Sequence, residues 1–201
     1  MPVKIDINKA LQQLIDSKSN KSLIPRVREE FSRRGPKKVK QAIVQDMIKG
    51  ISPVKGQGKW KRYSQSYKDV IEDKAAYRKV GSKVIRITDP DQVKKLNADF
   101  RNKQNPSKRI SPVNLRLTGG LHKSLFSKTV GGFNRESYKL IIGFKNKLAD
   151  IHNNRGAGKS KVVRRLLPTK NGESFNRRIS STIFDQVKLA VEKVVNQFTR
   201  Q

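Results

Sequence analysis

Gly156, Ala157, Gly158, Lys159 and Ser160 make up the one string in this chain that spells phosphate chemistry. A nucleotide-binding loop ends in Gly-Lys-Ser/Thr so that main-chain amides and a lysine cradle phosphates. The first glycine of that motif falls on Asn153, and the residues before it pattern as a helix where the motif needs a strand, so nucleotide binding is not expected. The two histidines, His122 and His152, belong to no cluster with metal-ligand spacing. His152 follows Asp150 at a spacing of two, which on a helix turns the two side chains to different faces, so the pair is no base with its orienting acid. The neighbouring acids Glu29 and Glu30, and Glu72 and Asp73, sit amid excess Lys and Arg that keep carboxylates ionised, and they read as solvated helix faces. No catalytic set assembles, and the expectation is a protein that is not an enzyme and takes no cofactor or metal.

Positive charge is the chemistry that remains. The chain has 46 Lys and Arg against 16 Asp and Glu in 201 residues, a net charge of +30, where a small soluble domain carries about 2–8. Nucleic acid is the first candidate partner, because neutralised phosphates release condensed counterions; an acidic protein or anionic lipid attracts the same charge. The cations gather in three groups: Arg33, Arg34, Lys37, Lys38 and Lys40; Lys55, Lys59, Lys61 and Arg62; and Arg155, Lys159, Lys161, Arg164 and Arg165. The third group is the foremost candidate for contact with DNA or a neighbouring subunit, since glycines let its loop extend and no acid interrupts it. With no RNA-binding aromatic motif or zinc finger, any DNA contact is expected to be blind to sequence. The absence of cysteine excludes disulfides and thiol chemistry. No apolar run approaches the roughly 18 residues of a membrane span, and MPVKIDINKALQQLIDSK has no signal-type apolar core, so the expectation is a soluble, unsecreted protein.

The elements that hold these residues follow from periodicity. Ile7, Ala10, Leu11, Leu14 and Ile15 predict an amphipathic helix over 6–17 with Asp6 as its cap. A second helix opens near Ser22 and Pro25 and runs to about Ser32, Gly35 and Pro36 break it, and a third spans 37–49. Pro53, Gly56 and Gly58 make a loop that Trp60 anchors to the core ahead of Tyr63 and Tyr67. Residues 76–112 read as an inserted basic segment, partly mobile, with a strand at 84–87 and a helix near 91–100. Thr118 caps a short helix carrying Leu121 and Leu125; 126–130 and 138–144 form a β-hairpin; Asn146 caps, and Gly156 stops, another short helix. Ile179, Ile183, Phe184, Val187, Val191, Val194, Val195 and Phe198 mark a long amphipathic helix over 177–198. The fold class is α+β: a small antiparallel hairpin or sheet against amphipathic helices, with extended loops. An N-terminal helical segment, 1–35, is expected to precede an α+β domain over 36–201.

Three stretches, in this order, resemble the phage virion morphogenesis family of tail-completion and head–tail joining proteins. ISPVKGQGKWKRYSQSYKDVIEDK is similar to that family's Ser-Pro, glycine, tryptophan and Ser-x-x-Tyr segment, carried by Ser52, Pro53, Gly58, Trp60, Ser64 and Tyr67. LRLTGGLHKSL resembles its Leu-x-x-Thr-Gly-x-Leu-x-x-Ser pattern, carried by Leu115, Thr118, Gly119, Leu121 and Ser124. ADIHNNRG resembles its Ala-x-x-His-x-x-Gly helix end, with Ala149 and His152 in place and Gly156 one residue late. The resemblance covers about 37–199 and leaves 76–112 without a counterpart. It implies fold anchors at Trp60, Tyr67, Thr118, Gly119, Leu121 and His152.

By that resemblance the chain is a virion protein assembled in the host cytoplasm. It forms a homo-oligomeric ring, hexameric or dodecameric, in the neck of a tailed bacteriophage, as adaptor, stopper or terminator. Its partners are neighbouring portal-side, neck and tail proteins and, through basic loops, double-stranded DNA; no membrane is involved. The alternative from another class is a sequence-nonspecific nucleic-acid-binding protein of the cytoplasm.

Overall fold

The structure, a computed structural model, describes residues 2–8, 11, 23–102, 104, 113, 115, 119–132, 138–157 and 161–199. The fold is α+β. A three-stranded antiparallel sheet of β1 (Val3–Asp6), β4 (Leu125–Val130) and β5 (Lys139–Phe144) has the order β1-β5-β4. The expected hairpin is β4–β5, in register from Leu125 opposite Phe144 to Val130 opposite Lys139. Alternation assigns the faces: Val3, Ile5, Leu140, Ile142 and Leu125 turn to the core, while Lys4, Lys128 and Lys139 turn out. On the outer face the Phe126 ring covers Gly143, where a Cβ would stand 2.7 Å from the ring.

Of the two long helices, α1 (Ile24–Ile48) packs on the inner face of the sheet and α7 (Arg177–Phe198) packs on α1. Between them in the chain come α2 (Gln65–Ile71), α3 (Pro90–Leu96), α4 (Ala98–Asn102), α5 (Gly120–Ser124) and α6 (Leu148–Asp150). The expected bounds of α7 hold, with the Asn176 side chain accepting from Ile179 N–H at 3.0 Å. Its inward stripe is Ile179, Ile183, Val187, Ala190 and Val194; Phe184, Val195 and Phe198, expected on the same stripe, are 37–40% exposed.

The break expected at Gly35 and Pro36 does not occur, for α1 runs through both. Pro36 removes one helical hydrogen bond, a cost of about 3 kcal/mol in a helix interior. Val27, Phe31, Val39, Ile43 and Met47 are all nearly inaccessible on one face, and each contributes about 1.5–3 kcal/mol by burial, so packing outweighs the proline. Gly35 is needed because the Phe31 ring lies over it, within 2.7 Å of where a Cβ would stand. The helix therefore crosses the boundary expected at residue 35, and β1 joins the sheet of the following chain.

Of the helix expected over 6–17, only 6–8 and 11 are described. Asp6 closes β1 and its carboxylate accepts from Asn8 N–H at 2.8 Å, Leu11 N–H donates to Ile7 C=O at 3.0 Å, and both apolar side chains are in the core. α1 is tied to the sheet by a polar contact set: the buried Tyr138 hydroxyl donates to the Arg28 carbonyl at 2.7 Å and also meets Ser32, which contacts Thr129 at 2.9 Å. At the far end Asp46 accepts from Asn176 at 2.9 Å and from Arg178 Nε at 2.7 Å, locking the end of α1 to the start of α7.

The segment expected as a loosely patterned insertion holds a second, two-stranded sheet, β2 (Ala76–Val80) and β3 (Lys83–Ile87), followed by α3 and α4. Only residue 84–87 was expected as strand. Its root is fixed by Asp69, which accepts from Gln65 at 2.6 Å and from Tyr77 and Arg86 at 3.2 Å each, and by the buried Asn97, which donates to the Ala75 carbonyl at 3.2 Å.

Candidate functional site

The expected contact loop follows α6, which passes into a π-helical turn, Ile151–Arg155. Lys147 stands at the cap of α6, where Asn146 was expected; the Asn146 side chain, one residue earlier, accepts from Leu148 N–H at 2.9 Å, and Gly156 N–H donates back to Ile151 C=O at 2.7 Å. A π-turn holds one residue more than an α-turn. Gly156 stops it at φ 82° and ψ 147°, a region open essentially to glycine. A Cβ there would fall 2.1 Å from the Lys161 carbonyl oxygen. The chain leading into Gly156 is thus helical, as the sequence indicated against a nucleotide loop. Beyond it, Ala157 and Val162 exchange two main-chain bonds at 2.9 and 3.1 Å.

The five expected contact residues divide. Arg155 is exposed and paired with Asp150 at 2.9 Å, Lys161 is exposed, and Lys159 lies outside the described residues. Arg164 and Arg165 are 5% exposed and turned inward, away from any passing phosphate. Arg164 donates to the carbonyls of Lys61 and Arg62 at 3.2 and 3.3 Å, and its guanidinium lies 5.2 Å from the Tyr63 ring centroid. Arg165 donates to the Asn153 carbonyl, to Asn154 Oδ1 at 2.9 Å and to Glu173. Burying these cations is tolerated because each is spent on several acceptors.

Around this pair the fold anchors gather. The Arg165 carbonyl accepts from Ser52 Oγ at 2.8 Å and Trp60 Nε1 at 3.3 Å, so Trp60 does anchor its loop to the core. Tyr67 packs against Tyr63 with centroids 4.7 Å apart and the rings tilted at 49°, and the Tyr63 hydroxyl accepts from Leu115 N–H at 3.2 Å. The His152 carbonyl accepts from Arg164 N–H at 2.7 Å. Leu121 is in the core; Gly119, at φ 76°, stands at the cap of α5, where Thr118 was expected, and Thr118 lies outside the described residues.

Sequence reasoning missed Asn153 and Glu173. Asn153 is buried; its Oδ1 takes the amides of Leu166 and Leu167 at 2.6 and 2.9 Å, and its Nδ2 reaches Thr169 at 2.8 Å. A lone Asn and a lone Glu have no spacing that would have marked them. Burial would raise the Glu173 carboxyl, but hydrogen bonds from Lys170 N–H and Arg165 hold it below the usual range. Burial pushes the Tyr63 and Tyr67 hydroxyls up and the Arg164 guanidinium down.

The carboxylates weighed as catalytic pairs are engaged in ion pairs. Glu29 meets Arg33 at 2.7 Å, Glu72 meets Lys74 at 2.6 Å, and Asp73 meets Arg101 at 3.0 Å. Glu30 is not on a solvated face: it is 12% exposed between the long helices and bound to Lys193 at 2.6 Å. Among the described residues no three His, Asp or Glu converge as metal ligands, and no helix is long and apolar enough to cross a membrane.

The arrangement is a frame of buried polar contacts that joins the loop before Trp60, the π-turn and the segment leading into α7. Compared with known protein families, curated proteins and solved structures, the chain matches none of them. Its function must be argued from the geometry and the charge.

Proposed function

We propose that the chain is a non-enzymatic structural subunit of the head–tail neck of a tailed bacteriophage, closing into a homo-oligomeric ring around the DNA channel. The observation that carries the reading is the convergence at Arg164 and Arg165. The three stretches that resemble the virion morphogenesis family lie far apart in sequence. Yet Ser52 and Trp60 from the first, Leu115 from the second through Tyr63, and His152 from the third all bond to this pair or to its immediate partners. Residues that are weak signals one by one are parts of one frame, as motif residues of a structural domain should be. The π-turn supplies room for the single residue by which Gly156 falls late of the family pattern.

A ring also needs a self-complementary or head-to-tail surface. α7 offers one: Phe184, Val195 and Phe198 lie together along one side of the buried stripe and are 37–40% exposed. Their occupant in this reading is the next copy of the chain, and the neck, portal-side and tail proteins meet the ring axially. A net charge of +30 per subunit, multiplied around one axis, suits the passage of duplex DNA. Light scattering and negative-stain imaging of the purified protein test the reading: closed rings support it, and a monomer at every concentration supports the alternative, a cytoplasmic nucleic-acid-binding protein.

A further inference from the structure

The β2–β3 hairpin stands apart from the main sheet, and its composition has no account in the core. Residues 78–86 are exposed without a break, including Val80 at 51%, Val84 at 53% and Ile85 at 48%. Beyond the apolar root pair of Ala76 with Ile87, every cross-strand pair joins one cation to one apolar or aromatic residue: Tyr77 with Arg86, Arg78 with Ile85, Lys79 with Val84, and Val80 with Lys83. Opposed residues share a face and neighbouring pairs alternate, so both faces carry cations and both carry apolar groups. There is no acid between Ala76 and Ile87. Arg86 is tied to Asp69 at the root, while Arg78, Lys79 and Lys83 have no acidic partner among the described residues.

A two-stranded hairpin is marginal alone, yet this one is bolted down at Asp69 and Asn97 and left bare beyond them. Such a ribbon would gain little from an acidic protein surface or a membrane, since either presents one plane and leaves the other cationic face unanswered. The major groove of duplex nucleic acid has a phosphate wall on each side, and at about 12 Å wide and 8.5 Å deep it admits a two-stranded ribbon. Five residues at about 3.3 Å each give the hairpin a length of about 16 Å, enough to fill that depth.

We infer that the β2–β3 hairpin is a DNA-gripping ribbon, entering the major groove of duplex DNA tip-first with Arg78, Lys79 and Lys83 on the phosphate walls and Val80, beside the turn, toward the base edges, without reading sequence. The inference rests on the DNA partner of the proposed function and moves the contact from the loop 153–170, whose Arg164 and Arg165 are buried, to the inserted segment.

The test is anisotropy of a labelled duplex of about 20 base pairs across a salt series, with the full chain. Each phosphate contact contributes about 0.9 to the slope of log affinity against log salt. The variant R78A/K79A/K83A should lose 2–3 from that slope and at least tenfold in affinity at about 0.1 M salt. The control K55A/K59A/R62A removes the same charge from another exposed loop and should change the slope by less than 1. Val80→Ser should weaken binding several-fold at unchanged slope. Equal losses in the two triple variants, or a hairpin variant that binds duplex as the parent does, would overturn the inference. So would a hairpin-dependent preference for polyglutamate or anionic lipid vesicles over duplex. Mass measured on the same samples keeps the two ideas separate: a monomer that binds duplex through its hairpin defeats the ring alone, and a ring that ignores duplex defeats the ribbon alone.

Discussion

The indole N–H of Trp60 donates to the main-chain carbonyl of Arg165 at 3.3 Å, across 105 residues of sequence. Ser52 Oγ donates to the same oxygen at 2.8 Å. That shared acceptor joins the loop after α1 to the strap that leads into α7, and the rest of the frame is arranged about it.

Because the acceptor is buried and shared, Ser52 and Trp60 should be coupled. Trp60→Phe is expected to cost about 1 kcal/mol for one net hydrogen bond, and Ser52→Ala about 2 kcal/mol, because Ser52 Oγ also accepts from Val54 N–H at 3.1 Å. Together they strand a buried carbonyl, and the double variant should lose about 0.5–3 kcal/mol more than the sum. Urea unfolding of the four proteins in the cycle measures it, and strict additivity would contradict the shared-acceptor account.

Gly156 and Gly172 offer a paired comparison. Both have φ near 80°, but a Cβ at Gly156 meets the Lys161 carbonyl at 2.1 Å, whereas one at Gly172 meets nothing within 4 Å. Gly172→Ala should cost only the conformational strain of about 1 kcal/mol. Gly156→Ala should cost more than about 3 kcal/mol, because the strap must move as well. Thermal melts of both variants check the order.

Asn153 closes the strap by taking two buried amides, of Leu166 and Leu167. Asn153→Ala strands both, at about 1–3 kcal/mol each, and should expose amides of the strap to hydrogen exchange while leaving the amides of α1 protected.

Two glutamates contribute to the acid sensitivity. A hydrogen bond from Lys193 holds the Glu30 carboxyl below its usual range, and the bonds from Lys170 N–H and Arg165 do the same for Glu173 against its burial. Both are lower folded than unfolded, so their contribution is fully present above the ordinary glutamate value of 4.5 and is lost as pH falls below it. Stability measured between about pH 6 and pH 3 should fall less steeply in Glu30→Gln and Glu173→Gln than in the parent.

The legible parts of the fold were those whose signal is local and repeated. α7 shows in the sequence because eight apolar residues recur at helical spacing, and β4–β5 because alternation resumes either side of the glycines. The misjudged break at Pro36 is the opposite case: a local rule met a buried face that extends beyond it on both sides. The candidate site was half legible. Trp60 and Tyr67 stood out by type, but Arg164 and Arg165 look in sequence like any solvated charge run, and their acceptors lie as much as 103 residues away. The β2–β3 hairpin had a readable sign, the two-residue Gly81-Ser82 turn between β-prone runs.

The central claim is that copies of this chain close into a ring through α7. Native mass and negative-stain imaging of the parent and of Phe184→Ser/Val195→Ser test it most directly. The account predicts closed rings of one stoichiometry for the parent, and folded monomers with unchanged circular dichroism for the variant. A parent that is monomeric at every concentration, or rings that survive the double substitution intact, would contradict it.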